Sequence, residues 1–165
     1  MPPNQHLRTW FTIFMMATSS LLLPSLGKGD SQHPTNRSLA TITTHQGETI
    51  SAEVANTPAK RSQGLMFRTN MPHNHGMLFI FNKSDHWTFW MKNTKMPLDI
   101  IWIDSGKKVV HIEPNVSICT RTDEGCPRYH TLKESLYVLE LKAGMAQHYG
   151  ISVGSPLTIE LPISQ

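Results

Sequence analysis

Leu98-Asp99-Ile100-Ile101-Trp102-Ile103 decides how this chain is read. Successive side chains of an extended strand face opposite ways, and here both sets are apolar except for Asp99, so the run predicts a central strand covered on both faces. Short apolar runs recur on either side of it: Met77 to Phe81, Trp87 to Met91, Lys108 to Ile112, Tyr137 to Leu141 and Leu157 to Leu161. Turn residues bound nearly all of them. Nearer the N-terminus, Leu39 to Thr44 and Thr49 to Val54 alternate around His45-Gln46-Gly47 and predict a hairpin. One helix is expected over Ala59 to Met66, behind a start formed by Asn56-Thr57-Pro58, and one over Ala143 to Tyr149, ended by Gly150. Many strands and few helices point to a mainly β fold, a jelly-roll-like sandwich or flattened barrel with one or two short helices. A βαβ reading would need several helical crossovers of about a dozen residues, and the chain supplies too few.

The chain has 165 residues, 39% of them hydrophobic, which suits one globular domain. Lys plus Arg number 15 against 12 Asp plus Glu, and the basic pairs Lys60-Arg61 and Lys107-Lys108 form no dense stripe, so nucleic acid is not an expected partner. Residues 1 to 27 differ in kind: Arg8 is their one formal charge, an apolar stretch runs from Trp10 to Leu23, and Pro24 breaks it before Ser25-Leu26-Gly27. That outline predicts a cleaved signal peptide over 1–27, too short in its apolar core to span a bilayer. A polar, flexible leader follows over 28–38, and a single β-rich domain over 39–165, with no membrane span in the mature chain. Export to the periplasm or the extracellular space follows. In such a compartment the two cysteines, Cys119 and Cys126, read most economically as a disulfide around a polar loop. The alternatives are a redox pair, which usually has Cys-x-x-Cys spacing, or two thiolate metal ligands without a second nearby pair.

Alternation through residues 86–92 puts Trp87, Phe89 and Met91 on a core face, and His86, Thr88, Trp90 and Lys92 on the other. An aromatic plate beside a cation, a hydroxyl and an imidazole is more polar than a dry core tolerates and suggests a cleft wall, the other reading being a solvent-facing strand. Asp99, inside an apolar run, must sit at a solvated strand end, pair with Lys92 or Arg68, or be neutralised. Glu140 poses the same question within Tyr137 to Lys142. If Asp99, Glu140 and Lys92 converge, they provide acid, base and charge stabiliser; structural ion pairs are the common alternative. Asn93 either shapes the turn before Pro97 or anchors a ligand hydroxyl beside Trp90.

Five segments in order, Gly64-Leu65-Met66-Phe67-Arg68, Gly76 to Phe81, Phe89-Trp90-Met91-Lys92-Asn93-Thr94, Pro97 to Ile101 and Tyr137 to Gly144, strongly resemble the family called Domain of Unknown Function 192, over roughly residues 48–161. The resemblance implies a compact, mainly β domain of jelly-roll type, often exported, with no established activity. It marks Arg68, Trp90, Lys92, Asn93, Thr94, Asp99 and Glu140 as positions of interest. This chain departs from the family between Met71 and Gly76, where His73-Asn74-His75 replaces the usual acidic residues, so no metal site is inherited there. The expected function is that of an exported monomer binding a small or glycan-like ligand, without metal or organic cofactor, in a cleft of Arg68, His86, Trp90, Lys92, Asn93, Thr94 and Asp99. The rivals are a hydrolase or lyase with Asp99 or Glu140 as general base and Lys92 or Arg68 stabilising negative charge, and an accessory module that docks on another envelope protein.

Overall fold

The computed structural model describes residues 39–121 and 125–162. The signal peptide and leader expected over 1–38 lie outside the described residues. Along the chain run β1 (Leu39–Thr44), β2 (Thr49–Ala55), α1 (Pro58–Gln63), β3 (His75–Asp85), β4 (Phe89–Trp90), β5 (Leu98–Ile103), β6 (Val109–Val116), β7 (Arg128–Tyr129), β8 (Ser135–Lys142), α2 (Met145–His148) and β9 (Leu157–Glu160). Seven strands form one sheet in the order β6-β5-β8-β3-β2-β1-β9, while β4 and β7 pair as a separate ribbon. The fold is mainly β, as the apolar periodicity requires.

Each neighbouring pair is antiparallel except β2 and β3. A parallel pair needs a crossover, and α1 with the loop after it provides one βαβ step that the strand count had not suggested. The sheet curls until its two ends meet: the Val109 N–H donates to the Ser155 carbonyl at 3.0 Å and the Leu157 N–H to the Lys107 carbonyl at 2.9 Å. This gives a flattened barrel. Ile42, Leu78, Ile101, Leu139 and Leu141 fill its inside. The opposite face of the same strands carries Met77, Phe79, Ile100, Trp102 and Val138, which Leu65, Met71, Phe89 and Met91 cover from the loops. β5 is therefore buried at all six positions, in agreement with its two-faced apolar sequence.

Local chemistry sets the segments that frame the second face. The Thr57 hydroxyl caps α1 by accepting from the Lys60 N–H at 3.3 Å, and Pro58 begins the helix. The helix stops at Gln63, short of the expected Met66, because Gly64 takes a positive φ of 47°. The expected strand over 87–91 shrinks to β4, which meets the unforeseen β7 through Phe89 opposite Tyr129 and Trp90 opposite Arg128. Just before β7, Cys119 and Cys126 are joined in a disulfide. Close packing constrains Gly76 in β3: a Cβ there would lie 2.7 Å from both the Glu140 carbonyl oxygen and Leu141 Cδ2. Gly76→Ala is expected to destabilise the fold by about 2 kcal/mol in urea unfolding, since the backbone of β8 must shift to admit a methyl group.

Candidate functional site

The parts that cover the second sheet face do not meet everywhere. Between α1 and β4 they leave an open groove of about 300 Å³ bounded by Arg61, Phe81, Trp87, Thr88 and Trp90. It continues past Arg61, Phe79, Phe89 and Trp90 into a recess of about 40 Å³, whose walls include Gly64, Met66, Lys92, Thr94 and Glu140. An apolar groove with a few polar groups at one end is the usual form of a small-ligand site.

Its walls are aromatic. Phe81 and Trp87 stack with centroids 3.8 Å apart at 11°, and Phe89 meets Phe79 edge-on at 4.9 Å. Cations lie against these rings: the Arg61 guanidinium is 5.2 Å from the centre of Phe81 and its Nη1 donates to the Ile80 carbonyl at 3.0 Å. The Trp90 ring carries the Lys92 ammonium at 4.9 Å and the Arg128 guanidinium at 4.7 Å. Trp90 and Lys92 thus share one hollow, as the alternation of residues 86–92 predicts, but the indole is already engaged by charge.

At the end of the recess sits Glu140, 5% exposed. Burial pushes its carboxyl up to about 8, with the positive charge of Arg68 pulling the other way. It keeps its proton near neutrality. Glu53 stands two strands away on the same sheet face, because Glu53 registers with Met77 and Met77 with Glu140. Arg68 holds Glu53 through both guanidinium nitrogens, Nη2 donating to Oε2 at 2.7 Å. That bond, ahead of the opposing burial, raises the Arg68 pKa. Arg68 therefore supports the recess by fixing Glu53 and by its field at Glu140.

Asp99 is placed elsewhere. It registers with Leu141, while Glu140 registers with Ile100, so the two carboxylates leave β5 and β8 on opposite faces. The expectation that Asp99, Glu140 and Lys92 converge is corrected on this ground, as is the pairing of Asp99 with Lys92 or Arg68. Asp99 accepts instead from three backbone N–H groups: Asn115 at 2.8 Å and Gly144 at 3.1 Å on Oδ1, and Ala146 at 2.8 Å on Oδ2. It ties β6 to the start of α2 and lies outside the groove.

The remaining expected positions divide. Thr94 is buried and lines the recess. Asn93 shapes the connection: its φ is 57°, its carbonyl accepts from the Phe67 N–H at 2.7 Å, and its amide reaches Met66 Sδ at 3.9 Å. His86 is exposed, its Nδ1 3.2 Å from the Thr131 carbonyl, and it does not border the groove. His73 and His75 have Lys142 and Asn74 as neighbours. Among the described residues no three His, Cys, Asp or Glu side chains stand together as a metal site. Trp87, expected in the core, is only partly buried and forms a groove wall, while its carbonyl accepts from Trp102 Nε1 at 2.9 Å. Glu53, Arg61, Phe81 and Arg128 had drawn no attention as sequence, since each reads as an ordinary strand, helix or loop residue until the chain folds.

The profile of Domain of Unknown Function 192, described as an uncharacterized ACR, matches residues 40–159. Among solved structures, a protein of Sinorhizobium meliloti 1021 described as a proposed transcription regulator is 34% identical, with a TM-score of 0.65 over 74% of this chain and 93% of its own. A protein of unknown function from Novosphingobium aromaticivorans DSM 12444 is 33% identical, with a TM-score of 0.66 over 76% of this chain and 89% of its own. No curated protein matches. Four of the five quoted segments, all but Pro97 to Ile101, contribute residues to the groove or its recess, and with the profile and both structures in agreement this chain belongs to the Domain of Unknown Function 192 family.

Proposed function

We propose that this domain is an exported binding protein that takes a small or glycan-like ligand in the groove between α1 and β4. The observation that carries this reading is the continuity of the aromatic groove with a recess bordered by a buried carboxyl group. Glu140 is 5% exposed and feels the charge of Arg68, and a buried carboxyl group that borders a cavity is well placed to engage a ligand or solvent. Trp90, Lys92 and Thr94 share the recess with it, and Arg68 acts from behind through Glu53. The disulfide supports an oxidising location. No helix of the described residues is long and apolar enough to cross a membrane. The regulator description belongs to the Sinorhizobium protein, and the basic residues of this chain form no dense stripe of the kind that phosphate-backbone binding uses.

Calorimetric screening of envelope glycans, peptidoglycan fragments and small metabolites is expected to find a ligand whose affinity drops at least tenfold in Trp90→Ala, about 1.4 kcal/mol or more. Binding unchanged by that substitution would remove the groove from consideration. A second reading is favoured by one observation: a carboxyl that keeps its proton near neutrality, on the sheet face that two strands away carries one held by arginine, is suited to general acid catalysis. In that case Glu140→Gln would retain ligand binding and lose turnover, whereas a binding protein shows no turnover to lose.

A further inference from the structure

The charged and hydrogen-bonding groups around the groove are nearly all donors. Arg61 borders both its open part and its recess, and Lys92 borders the recess. Arg128 adds a third positive charge against Trp90. The hydroxyls of Ser62 and Thr88 lie along the same walls. The buried Trp87 indole N–H has no acceptor among the described residues. On the acidic side, Glu140 is the one carboxyl among the described residues that borders either space, and burial keeps it uncharged near neutrality. Glu53 is offset in charge by Arg68, which donates two hydrogen bonds to its carboxylate. A space walled by rings, ringed by cations and without an ionised carboxylate on its lining attracts an acceptor-rich, negatively charged molecule, because a low-dielectric wall strengthens the field of each cation. The same charges disfavour a neutral sugar stacked on Trp90, whose ring two cations already engage.

We infer that the groove takes a small organic anion with a planar aromatic body, its negative group against Arg61 and Lys92 and its rings along the wall formed by Trp87 and Trp90. The inference rests on the binding reading above and narrows its ligand class. Carboxylate, phosphate and sulfonate groups share the required chemistry.

Two dyes that differ by one charged group provide the experiment. 8-Anilinonaphthalene-1-sulfonate carries the sulfonate, and N-phenyl-1-naphthylamine is the same ring system without it. Fluorescence titration of the mature protein at pH 7 is expected to show the sulfonate bound at least tenfold more tightly. Arg61→Gln is expected to bring the two dyes within about twofold, Arg61→Lys to keep most of the preference, and Lys133→Gln, at an exposed site away from the groove, to change nothing. Trp87→Ala is expected to weaken both dyes together. Near-ultraviolet circular dichroism of each variant identifies any that has lost its packing, and the Arg61→Lys result then decides. Equal affinities in the wild type, or a preference that survives Arg61→Gln, would overturn the anion inference while leaving a groove that binds. Dye binding untouched by Trp87→Ala would overturn the groove itself.

Discussion

Glu140→Gln is expected to change how stability depends on pH more than any other single substitution. The carboxyl titrates near 4.5 in the unfolded chain and at about 8 in the folded one. Between those values the folded protein holds a proton that the unfolded chain has released. The unfolded state therefore binds fewer protons, and stability falls as pH rises, by about 1.4 kcal/mol per unit across the window. The whole contribution, present below pH 4.5 and gone above pH 8, amounts to about 5 kcal/mol as an upper figure, since relaxation and water entry reduce the effect of burial. Glutamine does not titrate. Its amide brings its own unpaired donor and shifts the absolute stability by a constant that pH does not alter. Urea unfolding of both proteins at pH 5, 6, 7 and 8 should give a difference, variant minus wild type, that climbs steadily through the series. Parallel pH profiles would mean that the carboxyl is ionised and solvated in the fold, and the recess would then carry a negative charge against an anionic ligand.

The second large effect is expected at Asp99, and it concerns the fold. Asp99→Ala removes the acceptor from the N–H groups of Asn115, Gly144 and Ala146 at once. Each lost bond to a charged acceptor is worth about 1.5–3 kcal/mol, partly recovered where water reaches the freed group, so a loss of about 4 kcal/mol is expected in chemical unfolding. Asp99→Asn keeps one carbonyl oxygen and is expected to cost about half as much. The consequence is specific: at a temperature where the variant is folded, titration with 8-anilinonaphthalene-1-sulfonate should match the wild type, because Asp99 faces away from the groove. A folded Asp99→Ala protein with weakened dye binding would return this carboxylate to the site.

Those two carboxylates show where sequence reading succeeds and where it stops. Both looked anomalous for one reason, a charge inside an apolar strand, and both are buried. Their roles diverge through a single step of register, which sends Asp99 to the α2 side and Glu140 to the groove side. The partners of Asp99 are main-chain N–H groups, which every residue carries and no residue name announces. Glu53 was overlooked for the opposite reason. In Thr49 to Ala55 it occupies a polar position of an alternating strand, which normally faces solvent, and only the parallel pairing of β2 with β3 brings it beside the recess. Trp87 follows the alternation of its neighbours in sequence, yet β4 begins only at Phe89, and the Trp87 ring stacks on Phe81.

Periodicity, capping and cysteine count are local properties, and from them alone follow the mainly β architecture, the central position of Leu98 to Ile103, the start of α1 at Pro58 and the bond between Cys119 and Cys126. The same local pattern placed Trp90 and Lys92 on one side of the chain, and the fold puts them in one hollow. What lines that hollow from afar was decided in three dimensions. Arg61 comes from a crossover helix, Arg128 reaches Trp90 from β7 just after the disulfide, and Glu140 comes from a strand whose exposed-looking face is roofed by residues 65–96. A sequence records which side of a strand a residue takes, while the partner strand, its register and the segment that closes over it depend on the summed burial of the whole chain.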